Sequence, residues 1–240
     1  MLFDVIAFDA DDTLWHNMPL YERTQEKFAS LLADYVDAES LGKALFATET
    51  RNIRYFGYGI KSFILSMIET AVKVTGGNIP ANAILQIVEY AKDMLTAPVQ
   101  LIDHVPDVLA RIAPSYELII ITKGDLLDQQ GKVTRSGLAD YFSQIEVVSE
   151  KNPETYRSIL KTHRIDPDRF LMVGNSLKSD VLPVLAVGGA AVHIPHIITW
   201  AHEEVELKPG DILNHIELAH IGMLPAWLEN SVSSAGNKQV

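Results

Sequence analysis

The chain has no cysteine among its 240 residues, which excludes disulfide staples, thiolate nucleophiles and sulfur-ligated metal sites together. It has no excess of basic charge either. At a net charge of −11, neither nucleic acid nor an anionic membrane is expected as a partner. Long apolar runs are missing too: the most apolar stretch, residues 181–195, is broken by Pro183 and Gly188-Gly189 and is too short to span a bilayer. The start, Met1-Leu2-Phe3-Asp4, carries no basic residue and reads directly as strand, so no signal peptide is expected and a soluble, cytoplasmic protein is. No internal repeat is found. His193, His196 and His202 near Trp200 lack the i, i+4 spacing of a helical zinc pair, so satisfied or exposed imidazoles are expected there. His16, after Trp15, is left without a role.

What is present is a chain long enough for a sizeable core, with 48% hydrophobic residues. Its most telling segment is Phe8-Asp9-Ala10-Asp11-Asp12-Thr13-Leu14, where three carboxylates crowd behind the apolar run Val5-Ile6-Ala7-Phe8. A buried parallel strand that ends in acid delivers polar groups to the carboxyl edge of its sheet, where open α/β folds hold ligands. Three neighbouring carboxylates repel unless a cation, hydrogen bonds or solvent compensate them. A divalent metal is the simplest compensation, and oxygen-only donors favour Mg²⁺. The plainer alternative is a solvated acidic turn in which Asp12 and Thr13 bond local backbone or cap a helix.

Residues 17–98 then read as helix after helix. Ile60, Phe63, Ile64, Met67, Ile68, Ala71 and Val72 fall at three- and four-residue spacing, as do Ile84, Ile87, Val88, Ala91, Met94 and Leu95; Gly76-Gly77 and Pro80 mark the turn between them. Earlier helices are expected over 20–35 and 38–50. Strand-like runs return at 118–121, 145–148, 170–173 and 190–194, with helices at 126–136, 153–163 and 178–187 between them. That alternation predicts an α/β fold: a Rossmann-like parallel sheet with crossover helices, formed by 1–16 and 99–240 and interrupted by an all-helical cap at 17–98. The polar, Gly/Ser-containing end, 231–240, reads as a flexible tail.

If the strands are parallel, their carboxyl ends gather Asp9-Ala10-Asp11, Thr122-Lys123-Gly124-Asp125, Glu150-Lys151-Asn152-Pro153, and Gly174-Asn175-Ser176 with Asp180 one turn into the next helix. In this order the chain resembles the haloacid dehalogenase-like hydrolase superfamily. Asp9 to Thr13 resembles that family's first motif, Thr122 its second, Lys151 its third, and Gly174-Asn175-Ser176 through Asp180 its fourth. The helical insertion resembles the cap of a subfamily that acts mostly on small molecules.

The resemblance implies a phosphatase of a small-molecule phosphate monoester, with Mg²⁺ as cofactor, working as a monomer or homodimer. Asp9 would be the nucleophile of an aspartyl-phosphate intermediate and Asp11 the acid and base. Thr122, with the backbone of Lys123-Gly124, would bind phosphoryl oxygens, and Lys151 would place a compact charge beside them. The metal would rest on Asp9, the Asp11 backbone carbonyl, Asn175 and Asp180. Asn175 departs from the acid that phosphatases of this family usually carry after the glycine, so Asp180 has to supply more of the anionic field. Asn at this position is also similar to the metal-free dehalogenase branch. Asp11 argues against that branch, because a departing halide needs no proton and an alkoxide does. A phosphomutase or phosphotransferase, or a non-catalytic protein of the same fold, is the remaining alternative. Specificity is expected in the helical insertion, where Arg51, Arg54, Tyr55, Tyr58 and Lys61 form either an anion-binding cluster or an ordinary solvated loop.

Overall fold

A computed structural model describes residues 2–197, 203 and 216–236, with side chains to 231; Trp200 and His202 lie outside this range. The chain divides into two compact units, one of 1–16, 99–122 and 132–240, the other of 17–98 and 123–131.

The first unit is built on a six-stranded sheet: β1 (Val5–Phe8), β2 (Glu117–Lys123), β3 (Gln144–Val148), β4 (Phe170–Gly174), β5 (Ala190–His193) and β6 (Ile216–Glu217), in the order β3-β2-β1-β4-β5-β6. β1 pairs in parallel with β2 and β4, β4 with β5, and β5 with β6. Every residue of β1 is buried, and strand alternation splits them between two cores. Ile6 and Phe8 join Leu118, Ile120, Leu171 and Val173 on one face, whereas Val5 and Ala7 join Ile119, Ile121, Phe170 and Met172 on the other. Both faces are therefore covered, which is why the strands read as continuous apolar runs rather than alternating ones. One face is covered by α5 (Val105–Ile112) and α9 (Leu224–Gly236), the other by α7 (Pro153–His163) and the short α8 (Leu182–Leu185).

The second unit contains α1 (Met18–Leu31), α2 (Ala38–Phe56), α3 (Ile60–Val74) and α4 (Ala81–Thr96), with the first half of α6 (Leu126–Ser136). Its core is the stripe Ile60, Phe63, Ile64, Met67 and Ala71 of α3, packed with Phe28, Leu32, Leu41, Leu45, Ile87 and Met94. Asp37 caps α2 by accepting from the Ser40 N–H at 2.8 Å. Gly57 ends it at φ 69°, a conformation that costs glycine little.

The parallel sheet with crossover helices is the fold expected from the sequence. Four elements differ from that expectation. The helix expected over 178–187 is a π-helical turn, Leu177–Val181, followed by the four-residue α8 with Pro183 in its first turn. α5 and β6 were not expected at all, and α9 continues to Gly236, into the segment read as a tail; residues 237–240 lie outside the described range. Among the described residues no helix is long and apolar enough to cross a membrane.

Candidate active site

In the strand order, β1 and β4 lie side by side although 161 residues of chain separate their ends, and the connections leave them in opposite directions across the sheet. That is the switch point at which an open α/β sheet leaves a crevice beyond its strand ends. Asp9 follows β1 there, its N–H donating to the Val173 carbonyl at 2.9 Å.

Asp9 is 8% exposed, and its carboxylate accepts from the Lys151 ammonium at 2.5 Å through Oδ1. The same ammonium donates to Asp180 Oδ1 at 2.7 Å. Lys151 reaches this point from just beyond β3, and the start of α7 fixes where it leaves the backbone. Asn152 caps that helix by accepting from the Thr155 N–H at 3.0 Å, with Pro153 in the first turn.

Asp180 is held from the other side by the Ser176 N–H, which donates to Oδ2 at 3.0 Å. Gly174 leaves the room this requires: a Cβ there would stand 2.2 Å from Asp180 Oδ2 and 2.6 Å from its Cβ. The glycine of the fourth segment is thus a matter of close approach. The π-helical turn continues the same bracing, with the Tyr156 hydroxyl donating to the Ser179 carbonyl at 2.9 Å.

Two acids therefore share one ammonium in a nearly dry place. Burial pushes the Asp9 carboxyl up, the charge of Asp180 adds to the push, and Lys151 opposes it; the result is about 7. For Lys151, burial acts to neutralise the ammonium, but the charges of Asp180 and Asp9 outweigh it and hold its pKa above the ordinary lysine value. Burial likewise holds the Tyr156 phenol well above its usual range.

The Thr13 hydroxyl lies 3.3 Å from Asp9 Oδ2 and 3.1 Å from Asn175 Oδ1, so it brings the first and fourth segments together. Sequence reasoning treated Thr13 as a turn residue. It is one, since the Leu14 N–H closes the turn onto the Ala10 carbonyl at 2.8 Å, but its side chain points at the carboxylate. Asp12 takes φ 62°, and His196 stands 3.6 Å from its carboxylate.

Asp11 is held separately. Its carboxylate accepts from the Trp15 indole at 2.7 Å and from Lys132 Nζ at 3.0 and 2.9 Å. Sequence reasoning missed Lys132. No local signal marks it: that it sits on the buried face of α6, beside Val133 and three residues after Gln129, is visible only in the fold.

Thr122 is 1% exposed at the end of β2, beside β1. Lys123 and Gly124 follow it in the chain but belong to the second unit, where the Lys123 ammonium lies 4.4 Å over the Tyr58 ring and Lys61 bonds Asp125 at 3.0 Å. In that unit Arg51 is 3.7 Å from Glu69 and bonds the Thr48 hydroxyl at 3.0 Å, and Arg54 lies 4.6 Å over the Tyr55 ring. Each of these cations has its own neighbour: Arg54 stays on α2, Arg51 bonds within α2 and faces Glu69 of α3, Lys61 bonds Asp125, and Lys123 lies over Tyr58. Of the histidines, His193 lies between Asn175 and Glu217, its Nε2 donating to the Asn175 carbonyl at 3.1 Å. Glu203, which sequence reasoning also missed, accepts from the hydroxyls of Ser176 and Ser179 at 2.5 Å each.

The donors that face one another here are all oxygen. Asp9 Oδ2 and Asn175 Oδ1 converge on one hydroxyl, and when both acids are ionised Asp9, Asp180 and Lys151 together carry one net negative charge. That chemistry fits a hard divalent cation better than a soft one. Among the described residues no three His, Cys, Asp or Glu side chains form a metal-holding group, so a cation would depend on Asn175 and main-chain oxygen as well.

Comparison with known proteins finds a match over residues 3–188 to the family model of haloacid dehalogenase-like hydrolases. A crystal structure of a haloacid dehalogenase-like family hydrolase from Xanthomonas campestris superposes with a TM-score of 0.87 at 39% identity, covering 99% of this chain and 95% of that one. A 2-haloacid dehalogenase from Pseudomonas syringae pv. Tomato DC3000 superposes at 0.65 with 22% identity, covering 95% and 99%, a likeness of fold alone. Glyceraldehyde 3-phosphate phosphatase of Pyrococcus furiosus is 34% identical over 119 residues, 48% of this chain and 47% of that protein. The chain spans less than half the length of the curated relatives it matches.

Proposed function

The chain belongs to the haloacid dehalogenase-like hydrolase family, and from that premise we propose that it is a phosphatase that hydrolyses a small phosphate monoester through an aspartyl-phosphate on Asp9. The observation that carries this reading is the pairing of two acids, two residues apart, with two different lysines: Asp9 with Lys151 and Asp11 with Lys132. On this reading one carboxylate attacks and the other moves a proton, and hydrolysis of an ester with a poor leaving group needs both.

Asp9 attacks phosphorus as the bond to the leaving oxygen breaks, and Asp11 protonates that oxygen. Asp11 then takes a proton from water as water displaces Asp9. Lys151, in contact with Asp9, steadies the anionic charge at that end, and the buried Thr122 hydroxyl is a further donor for phosphoryl oxygen. Mg²⁺, held by Asp9, Asp180, the Asn175 amide oxygen and the Asp11 main-chain carbonyl, would neutralise charge on the phosphoryl group when bound. The relatives named glyceraldehyde 3-phosphate phosphatase make short sugar phosphates the substrate class to test first.

The uncharged Asn175 favours one competing reading, metal-free cleavage of a carbon–halogen bond. A departing halide gives Asp11 no proton to supply, which weighs against it. One experiment separates the two. The purified protein is offered glyceraldehyde 3-phosphate and other short phosphate esters, with and without Mg²⁺, and in parallel 2-chloropropionate, beside Asp9→Asn. Phosphate release that the substitution abolishes is the expected result. Chloride release without phosphate release would overturn the proposal.

A further inference from the structure

Lys132 is an ammonium in a costly place. Its side chain is 6% exposed, on a helix face where Val133 packs into the core at 1% exposure, and a leucine or methionine there would bury without the expense of dehydrating a charge. Its Nζ bonds both oxygens of Asp11, and Trp15, four residues along, donates its indole N–H to Oδ1 of the same carboxylate. Lys151 is already engaged with Asp9 and Asp180. The two acids of the first segment are thus served by separate cations from separate elements.

We infer that Lys132, with the Trp15 indole, is the positioning residue for Asp11, holding its carboxylate in one orientation and balancing its charge between the two proton transfers. This inference rests on the phosphatase reading and adds to it a residue outside the four sequence motifs. Two donor groups make three hydrogen bonds to the two carboxylate oxygens, and these hold the side chain in its orientation. Asp11 gives its proton to the leaving oxygen in the first half-reaction and takes one from water in the second. In the interval it is a carboxylate two residues from the phosphorylated Asp9, and Lys132 offsets its repulsion with the phosphoryl charge. Lys132 itself forms and breaks no covalent bond and keeps its proton throughout.

The test is a double-mutant cycle on the full chain: wild type, Lys132→Met, Asp11→Asn and the double variant, with Lys132→Arg as the conservative control, all compared by thermal melting. Turnover is read on an alkyl phosphate. Because a positioned acid–base group contributes about 10²–10⁴ in rate, Lys132→Met is expected to lower kcat at least about tenfold with KM nearly unchanged. In the Asp11→Asn background the same change is expected to cost less than about twofold, since the group it serves is gone. Lys132→Arg is expected to recover most of the activity. Equal losses from Lys132→Met in both backgrounds, or a loss that follows the melting temperature alone, would overturn the inference. If Lys132→Met does not fold, Lys132→Arg and Lys132→Gln are compared in the two backgrounds by the same criterion. Failure of the underlying reading has a different signature: the wild type itself would release no phosphate from any ester.

Discussion

Gly174→Ala is the substitution whose consequence can be worked most directly from the structure. The added methyl carbon would lie 2.2 Å from Asp180 Oδ2, 2.4 Å from its Cγ and 2.6 Å from its Cβ. Ordinary contact requires a separation more than about 1 Å larger, and Asp180 cannot yield it cheaply. The side chain is 1% exposed and held by Lys151 at 2.7 Å and by the Ser176 N–H at 3.0 Å. Moving it breaks one side of a buried ion pair and orphans a buried N–H, so the expected cost is about 3–5 kcal/mol. Gly42→Ala is the matched control: it lies inside α2, nothing stands within 4 Å of its added carbon, and it is expected to stabilise by about 0.5–1 kcal/mol. Urea titration of both variants, with phosphate release measured beside it, gives the comparison. A Gly174→Ala protein as stable and as active as wild type would refute the argument that close approach to Asp180 is what this glycine provides.

Asp9, pushed to about 7, holds its proton in the folded state at pH values where the unfolded chain has lost it, so without divalent cation stability should fall as pH rises from about 4 to about 7. Three pH units of displacement correspond to a penalty on the order of 4 kcal/mol above that window, and Asp9→Asn should lack this slope; parallel melting-temperature curves for the two proteins would contradict it. Thr13→Val removes the hydroxyl that both Asp9 and Asn175 face, and a loss of stability of about 1–3 kcal/mol, largely restored in Thr13→Ser, is expected in denaturant titration. Asn152→Ala removes the α7 cap, with an expected cost of about 1 kcal/mol and, through displacement of Lys151, a fall in kcat measured under saturating substrate.

Much of the fold was legible because its signals are local. The run Val5–Phe8 is wholly apolar and ends abruptly in acid, and β1 has those bounds. Pro153 after Asn152 announced the start of α7, and the stripe through Ile60 and Met67 announced α3. α5 and β6 escaped because eight residues and two residues are too few to establish a period. Pro183 was visible, but not that the chain would reach it through a π-helical turn braced by Ser176 and Asp180. In the site, Asp9, Asp11, Lys151 and Asp180 could be named from their places after apolar runs. Lys132 could not, because a lysine on a helix reads as solvated until one knows which way that face turns, and Thr13 could not, because a hydroxyl in an acidic turn has local backbone to bond.

The sequence by itself determined the alternation of apolar strands and amphipathic helices, and the acids and lysine that follow the strands, because periodicity and strand ends are properties of neighbouring residues. Only the tertiary structure decided which of those groups share a charge. Strand order set β1 against β4, and Lys151 then lies between Asp9 and Asp180 while Lys132 goes to Asp11. Ion pairing depends on distance in space and on the exclusion of water, and partners separated by 121 and 142 residues acquire both only when the chain folds.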